Sequence, residues 1–290
     1  MKVTILGGGF GLYGYLPALV QSCQVTVVLP TRYQATLESR KDVRGFANQI
    51  EWVHDQDAIL DICDAVVFAL PPKQQFDWVK KCLMRKNITH LFLEKPLASS
   101  PQLADELLNL LETSNKKFRI GYNFRYTNWG KAFLNNSNPI QSVNWDFRAH
   151  HYANNIQTWK RVHADGGGAL RFYGIHLIAL MAEAGYKDVN FSQISSEAET
   201  WKAVLTNTLD ATCNISVATN TNNIGFLVGN NNTIVHSGLD PFQSLSHTDV
   251  MDKRIPFLVE GLTDLFGDTE TYYAWYKQVN LLWHKIEALS

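Results

Sequence analysis

The most constraining stretch lies near the amino terminus. Val3-Thr4-Ile5-Leu6 is a short β-rich run that stops in Gly7-Gly8-Gly9-Phe10-Gly11, and Leu12, Leu16, Leu19 and Val20 then recur at helical spacing. A strand, a glycine turn and a helix in that order leave few folds open. Glycines let the backbone turn tightly and approach a pyrophosphate, while the helix start beyond them presents N–H donors and partial positive charge. Gly7, Gly9, Phe10, Gly11 and Leu12 are therefore the candidate dinucleotide cradle. Counted from the strand end, the G-x-G-x-x-G positions are Gly7, Gly9 and Leu12, so the third glycine is absent. Leu12 predicts a slightly wider helix-to-sheet spacing and a looser hold on a dinucleotide. The alternative register, Gly9, Gly11 and Gly14, begins too far from the strand.

Buried strands follow in sequence. Residues 24–29 form the second, running into Pro30-Thr31-Arg32. An NAD site usually places an acid there, ~20 residues past the glycines, on the ribose 2′-hydroxyl. Thr31 and Arg32 instead offer a hydroxyl and a forked guanidinium, which suit a 2′-phosphate and favour NADP over NAD. Residues 64–70 are a near-continuous apolar run, as expected of a parallel strand covered on both faces, and Pro71-Pro72 ends it. Helices are predicted over 76–84 and 103–111, with a strand between them at 88–93. That strand leads into Glu94-Lys95-Pro96. Pro96 stops the pairing and leaves Lys95 at the carboxyl end, the edge where open parallel sheets bind ligands. Residues 118–121 close a βαβ domain over 1–120, a doubly wound parallel Rossmann sheet.

Past that point the texture changes. Residues 123–135 read as one helix. Runs at 143–149, 201–206, 211–219, 224–228 and 233–235 alternate as in an antiparallel sheet, with a turn at Gly229-Asn230-Asn231-Asn232. Amphipathic helices are predicted over 258–266 and 272–286. The second domain, 121–290, is therefore α+β with an open, mostly antiparallel sheet. A length of 290 residues accommodates two such cores. A net charge of −1 gives no electrostatic case for nucleic acid or an anionic membrane, so the expected partner is a small molecule or another subunit. Cys23, Cys63, Cys82 and Cys213 show no CxxC spacing and read as reduced, buried thiols. His150-His151 lack a third ligand, so no metal site is expected. No signal peptide precedes the first strand and no apolar run approaches the ~20 residues of a membrane span, so a cytoplasmic protein is expected.

Several of these segments, taken in order, resemble one family. The glycine turn, Leu16-Pro17-Ala18-Leu19, Pro71-Pro72, Glu94-Lys95-Pro96, Gly121-Tyr122-Asn123-Phe124-Arg125, Trp159-Lys160 and the run from Gly166 to His176 are similar to motifs of the Gfo/Idh/MocA sugar and polyol oxidoreductases. The resemblance covers residues 1 to about 180 and implies a Rossmann domain followed by a domain whose open sheet mediates homodimers or homotetramers. It implies hydride transfer between a nicotinamide and a carbinol or keto carbon of a sugar, polyol or sugar nucleotide. Pro71, Glu94 and Lys95 then join Thr31, Arg32 and the glycine turn as cofactor-binding candidates, and Lys95 and His176 become the catalytic candidates.

One departure bears on the chemistry. The family often carries an aspartate four residues before the histidine, and Phe172 stands there, between Arg171 and Tyr173. Alcohol oxidation needs a base for the hydroxyl proton as the hydride leaves. Without the aspartate, His176 loses a charged neighbour and an orienting partner, and more of the work passes to Lys95. Asn123, Arg125, Trp159, Lys160, Phe172 and Tyr173 are the candidate substrate contacts. The missing aspartate and third glycine both feed a second reading, a nucleotide-binding sensor or interaction protein without catalysis; a third, within enzymes, is a family member that uses transient redox to break a glycosidic bond.

Overall fold

The computed structural model describes residues 1–22, 24–136, 139–230, 233–243, 251–267 and 272–290. Its first part runs β1 (Lys2–Leu6), α1 (Leu16–Ser22), β2 (Thr26–Pro30), α2 (Gln34–Ser39), β3 (Ile50–Val53) and α3 (Gln56–Ile62). It continues with β4 (Ala65–Phe68), α4 (Pro72–Leu83), β5 (His90–Leu93), α5 (Pro101–Thr113) and β6 (Lys117–Ile120). These strands stand in the order β3-β2-β1-β4-β5-β6, each pair parallel. The chain winds outward from β1 to β3, returns, and winds the other way from β4 to β6, which is the doubly wound Rossmann arrangement with its switch point between β1 and β4. Strand β4 reads as unbroken apolar sequence because Ala65, Val66, Val67 and Phe68 are all buried. Since every strand is parallel, the segments following β1, β2, β4 and β5 leave the sheet from one edge.

The second part contains α6 (Asn128–Leu134), β7 (Ser142–Arg148), α7 (His150–Ala153), α8 (Ile175–Glu183), β8 (Tyr186–Ile194) and β9 (Thr200–Asn207). After these come β10 (Thr212–Ala218), β11 (Asn220–Asn230), β12 (Thr233–Gly238), α9 (Ile255–Phe266) and α10 (Tyr273–Ala288). Its sheet has the order β12-β11-β7-β10-β9-β8, antiparallel except between β7 and β10. Along β9, Trp201, Ala203 and Leu205 turn inward and Lys202 turns outward, the period-two pattern of a sheet with one covered face.

Two compact units result. One holds Met1–Leu97, Asn109–Gly121 and Ser244–Tyr272; the other holds Ala98–Leu108, Tyr122–Gln243 and Tyr273–Ser290. Helix α9 belongs to the first, where Ile255, Leu258, Leu262 and Leu265 share a core with Leu12, Leu16, Leu19, Val67 and Phe92. Helix α10 belongs to the second and packs on α8 and β8.

The helix expected over 123–135 is two pieces, a 3-10 turn Asn123–Tyr126 and then α6. Thr127 separates them with extended backbone (φ −71°, ψ 153°), and its hydroxyl accepts the Gly130 N–H at 3.0 Å as an N-cap. Cys63, Cys82 and Cys213 are buried free thiols whose pKa burial pushes up to about 12, while Cys23 lies outside the described residues. Asn231 and Asn232 of the expected turn lie outside them too. No helix among the described residues is long and apolar enough to cross a membrane.

Candidate functional site

The glycine turn follows β1 at the switch point. Gly7 has φ +127°, and a Cβ there would fall on the carbonyl oxygen of Ala69, just past β4, so only glycine fits. At Gly9 a Cβ would meet nothing within 4 Å, leaving the backbone open to approach. At Gly11 it would stand 2.7 Å from Ile5 Cγ2 and 3.3 Å from Ala69 Cβ. Close packing of helix on sheet therefore falls to Gly11. This corrects the wider spacing expected from Leu12, which is buried in the core. The Leu12 N–H donates to the Gly9 carbonyl at 3.0 Å and closes the turn.

At the end of β2, Arg32 is exposed and Thr31 half-buried. The Thr31 hydroxyl lies 3.3 Å from His54 Nδ1. Arg32 donates to the Tyr33 hydroxyl at 3.2 Å, and the Gly7 N–H donates to the same oxygen at 3.0 Å. Tyr33 thus joins the glycine turn to the end of β2, a role that sequence reasoning missed.

The Glu94-Lys95-Pro96 corner, with a cis Lys95–Pro96 bond, is held from two sides. Gln75, fully buried on α4, donates through Nε2 to the carbonyls of Glu94 (2.8 Å) and Leu97 (3.0 Å), and its Oε1 accepts the Glu94 N–H at 2.9 Å. The Glu94 carboxylate accepts from the Tyr15 hydroxyl at 2.5 Å and from the Lys95 N–H at 3.1 Å. Burial, and then the Glu94 charge, hold the Tyr15 phenol protonated well above its usual range. Lys95 itself is half-buried. Pro71 precedes the first turn of α4, where its carbonyl accepts the Gln75 N–H at 2.9 Å. From the segment before α9, the Arg254 guanidinium lies 4.0 Å over the Phe10 ring and pairs with both carboxylate oxygens of Asp252 at 2.8 and 2.7 Å. Gln75, Tyr15 and Arg254 went unread in the sequence.

In the second unit, His176 sits in the first turn of α8, 4% exposed. Its ring stacks on Phe124 at 4.7 Å and meets Phe242 edge-on at 5.9 Å. Asn123 and Arg125 flank that phenylalanine. Asn123 is buried, and its Oδ1 has no hydrogen-bond partner among the described residues. Arg125 pairs with Glu183 at 2.8 Å and lies 4.7 Å over Trp275. Burial pushes the Glu183 carboxyl up, and Arg125 pulls it back.

Phe172 and Tyr173 belong to a π-helical turn, Ala169–Gly174, that leads into α8. Gly168 opens it with φ +80°, where a Cβ would crowd the Ala198 carbonyl at 2.8 Å. Phe172 meets Trp159 edge-on at 5.2 Å and carries the Lys160 ammonium 5.2 Å from its ring. Tyr173 stands against Trp145 at 5.6 Å and Phe147 at 4.9 Å. Trp159, Lys160, Phe172 and Tyr173 therefore form one aromatic patch carrying a positive charge. Arg171 points elsewhere. It is buried, donates to both Glu287 oxygens at 2.6 and 2.5 Å, and also reaches the carbonyls of Ser99 and His163.

Comparison with known proteins agrees with this layout. Residues 1–122 match the Gfo/Idh/MocA profile of oxidoreductases with an NAD-binding Rossmann fold. No curated protein sequence matches the chain. Among solved structures, an NAD-binding oxidoreductase from Klebsiella pneumoniae superposes with TM-score 0.72 at 14% identity, covering 99% of this chain and 96% of its own. The WlbA dehydrogenase from Chromobacterium violaceum, in complex with NADH and UDP-GlcNAcA, gives 0.70 at 13% identity, covering 99% and 94%. The transcriptional regulator Gal80p from Kluyveromyces lactis gives 0.69 at 12% identity, covering 99% and 91%. At these identities the likeness shows a shared fold and nothing finer.

Proposed function

From the match of residues 1–122 to the Gfo/Idh/MocA profile of oxidoreductases with an NAD-binding Rossmann fold, we propose that the chain transfers a hydride between a nicotinamide dinucleotide and a carbinol or keto carbon of a sugar-like substrate. The observation that carries the reading is one sheet edge bearing both an open glycine turn and a lysine corner locked by Gln75 and Tyr15. A dinucleotide fits that edge, because Gly7 admits only glycine and Gly9 leaves room for close approach. Gly7, Gly9, Phe10, Gly11 and Leu12 would hold the pyrophosphate. Pro71, Glu94 and Lys95 would line the nicotinamide half.

When bound, the cofactor supplies a nicotinamide carbon that accepts or gives the hydride. Lys95 would polarise the substrate oxygen or take its proton, with His176 as the second acid/base group. Trp159, Lys160, Phe172, Tyr173, Asn123 and Arg125 are proposed to contact the substrate. The preference for NADP(H) is supported by the exposed Arg32 guanidinium beside Thr31, and by Leu29, near the end of β2, standing where an acid would repel a phosphate. The reading takes the protein as cytoplasmic, and as a homodimer or homotetramer joined through the open face of the second sheet.

A second reading, a dinucleotide-binding sensor without catalysis, is favoured by one observation. Phe172, packed against Trp159, occupies the position of the family's aspartate. The fold shared with the regulator Gal80p is compatible with it. Fluorescence titration with NADPH and NADH, followed by single-turnover oxidation of NADPH with a panel of keto-sugars, separates the two. For an enzyme, Lys95→Ala lowers the rate by about 10²-fold or more, far beyond any change in dinucleotide affinity. Tight binding without turnover on any sugar favours the sensor. Arg32→Ala weakens NADPH roughly tenfold and leaves NADH unchanged; equal effects on both would overturn the NADP assignment.

A further inference from the structure

The ring of Phe10, inside the glycine turn, is held from several sides. A Cβ on Gly14 would stand 2.3 Å from Phe10 Cε2, so glycine at that position is what lets the ring lie there. The Tyr13 and Tyr15 rings meet it edge-on at 5.4 and 5.2 Å. Over its face sits the half-buried Arg254, whose guanidinium carbon is 4.0 Å from the ring centre, within the range where the ring quadrupole attracts a cation. Asp252 grips the same guanidinium with both oxygens, at 2.8 and 2.7 Å, and also accepts the Arg254 N–H at 2.9 Å. The backbone beneath these rings is itself unusual. Gly11–Tyr15 is a π turn, closed by the Leu16 N–H on the Gly11 carbonyl, and such turns are uncommon and gather at functional sites.

A second arginine repeats the arrangement one ring away. The Arg40 guanidinium carbon lies 4.6 Å over the Tyr13 ring and pairs with both oxygens of Asp42 at 3.2 and 2.6 Å. Each arginine is thus fixed by an aspartate two residues from it and laid on an aromatic ring of the turn. The two differ in what they hold. Tyr13 lies beyond the cradle, whereas the Phe10 backbone is part of it, between Gly9 and Gly11. Phe10 also touches Tyr15, whose hydroxyl donates to Glu94 at the lysine corner. Burial works against the Arg254 charge, but Asp252, and then Tyr13 and Glu94, outweigh it and keep the guanidinium protonated.

We propose that Arg254 is a positioning residue for dinucleotide binding: gripped by Asp252, it holds the Phe10 ring on Gly14 and so fixes the Gly9-Phe10-Gly11 backbone that would receive the pyrophosphate. The ligand in this inference rests on the function proposed above, whereas the clamp rests on Phe10, Gly14, Arg254 and Asp252 alone. Backbone N–H groups already fixed in place leave more of the binding free energy for the ligand, because none goes into ordering them. The pyrophosphate is common to NADH and NADPH, so the clamp serves both alike. Arg32 differs, since its proposed contact is the 2′-phosphate that only NADPH carries. The clamp also accounts for Gly14, the glycine left over from the strand-end register.

The test uses the full chain and two readouts. Fluorescence titration gives the affinities for NADPH and NADH. Amide hydrogen exchange without dinucleotide follows the Leu12 N–H, which closes the turn on the Gly9 carbonyl. Arg254→Gln is expected to weaken both dinucleotides by the same factor, about three- to tenfold, and to speed Leu12 exchange in similar proportion. Arg254→Lys keeps a cation for the ring without the fork for Asp252 and is expected to lose less on both readouts; it carries the test should Arg254→Gln not fold. In a Phe10→Leu background, Arg254→Gln is expected to cost no further affinity, because the ring through which it acts is gone. Where wild type binds, unchanged affinities in Arg254→Gln, a loss confined to NADPH, or a loss that persists in full without the Phe10 ring would overturn the proposal. So would an equal loss in Arg40→Gln, which removes the same charge from beside the other ring. Absence of dinucleotide binding in wild type, with the exchange response intact, would remove the cofactor reading and leave the clamp standing.

Discussion

Replacing Gln75 by leucine isolates what holds the lysine corner. The side chain is fully buried and makes three short hydrogen bonds, two donated to the Glu94 and Leu97 carbonyls and one accepted from the Glu94 N–H. Leucine has a similar reach but offers neither donor nor acceptor, so three backbone groups lose their partners inside the protein. At about 1 kcal/mol per bond, the loss is about 3 kcal/mol, and more where no water reaches the orphaned groups. Urea unfolding reads the global part of that cost. Amide hydrogen exchange at Glu94 reads the local part, as lost protection of a proton that now has an acceptor. Gln75→Glu makes a sharper companion. Its oxygen still accepts the Glu94 N–H, but an ionised carboxylate has no proton for the two carbonyls, so burial raises its pKa above the unfolded value of ~4.3. The stability supplied by the protonated form is then complete below that value and lost as pH rises through the folded pKa. The variant should therefore approach wild type on acidification. A leucine variant within 0.5 kcal/mol of wild type, with Glu94 exchange unchanged, would show that the corner is held by something else.

Two further outcomes follow from the second unit. Arg171→Met removes the bidentate partner of Glu287 and the bonds to two carbonyls, and should cost about 3–5 kcal/mol in urea unfolding; a cost below 1 kcal/mol would refute a structural role for the pair. His151, held near pKa 4 against an ordinary 6.5, favours the unfolded state once it protonates. Stability from its neutral burial is complete above pH 6.5 and lost as pH falls toward 4, so melting temperatures of wild type and His151→Phe should converge across that window. Parallel curves would contradict the burial.

The Rossmann half was legible because its strands are buried on both faces and end in glycine or proline. Strand β3, at Ile50–Val53, was missed because it is four residues long and half-exposed at its end. Strand β8 was missed because its inward residues slip across two register shifts, leaving Phe191 outside and Lys187 and Asp188 at the surface. The glycine turn and Glu94-Lys95 are local signals, and they were read. Gln75 is not local: its partners are nineteen or more residues away, and its neighbour Gln74, of the same type, is exposed. What marked it was position, since Gln75, Val79 and Cys82 share the buried face of α4 at helical spacing. Arg254 had no such mark, because nothing in composition assigns α9 to the first unit rather than the second.

That assignment has a consequence for synthesis. The apolar seam of α1, with Leu16 and Leu19, is completed by Leu258, Leu262 and Leu265 of a helix that emerges only after most of the second unit. At ordinary elongation rates the nascent amino-terminal half waits roughly 10–30 s with that seam uncovered. A chain truncated at residue 121 would keep it uncovered permanently. The amino-terminal unit thus cannot close until its late helix has been made, and its exposure to chaperones and to aggregation is set by the length of chain inserted within it.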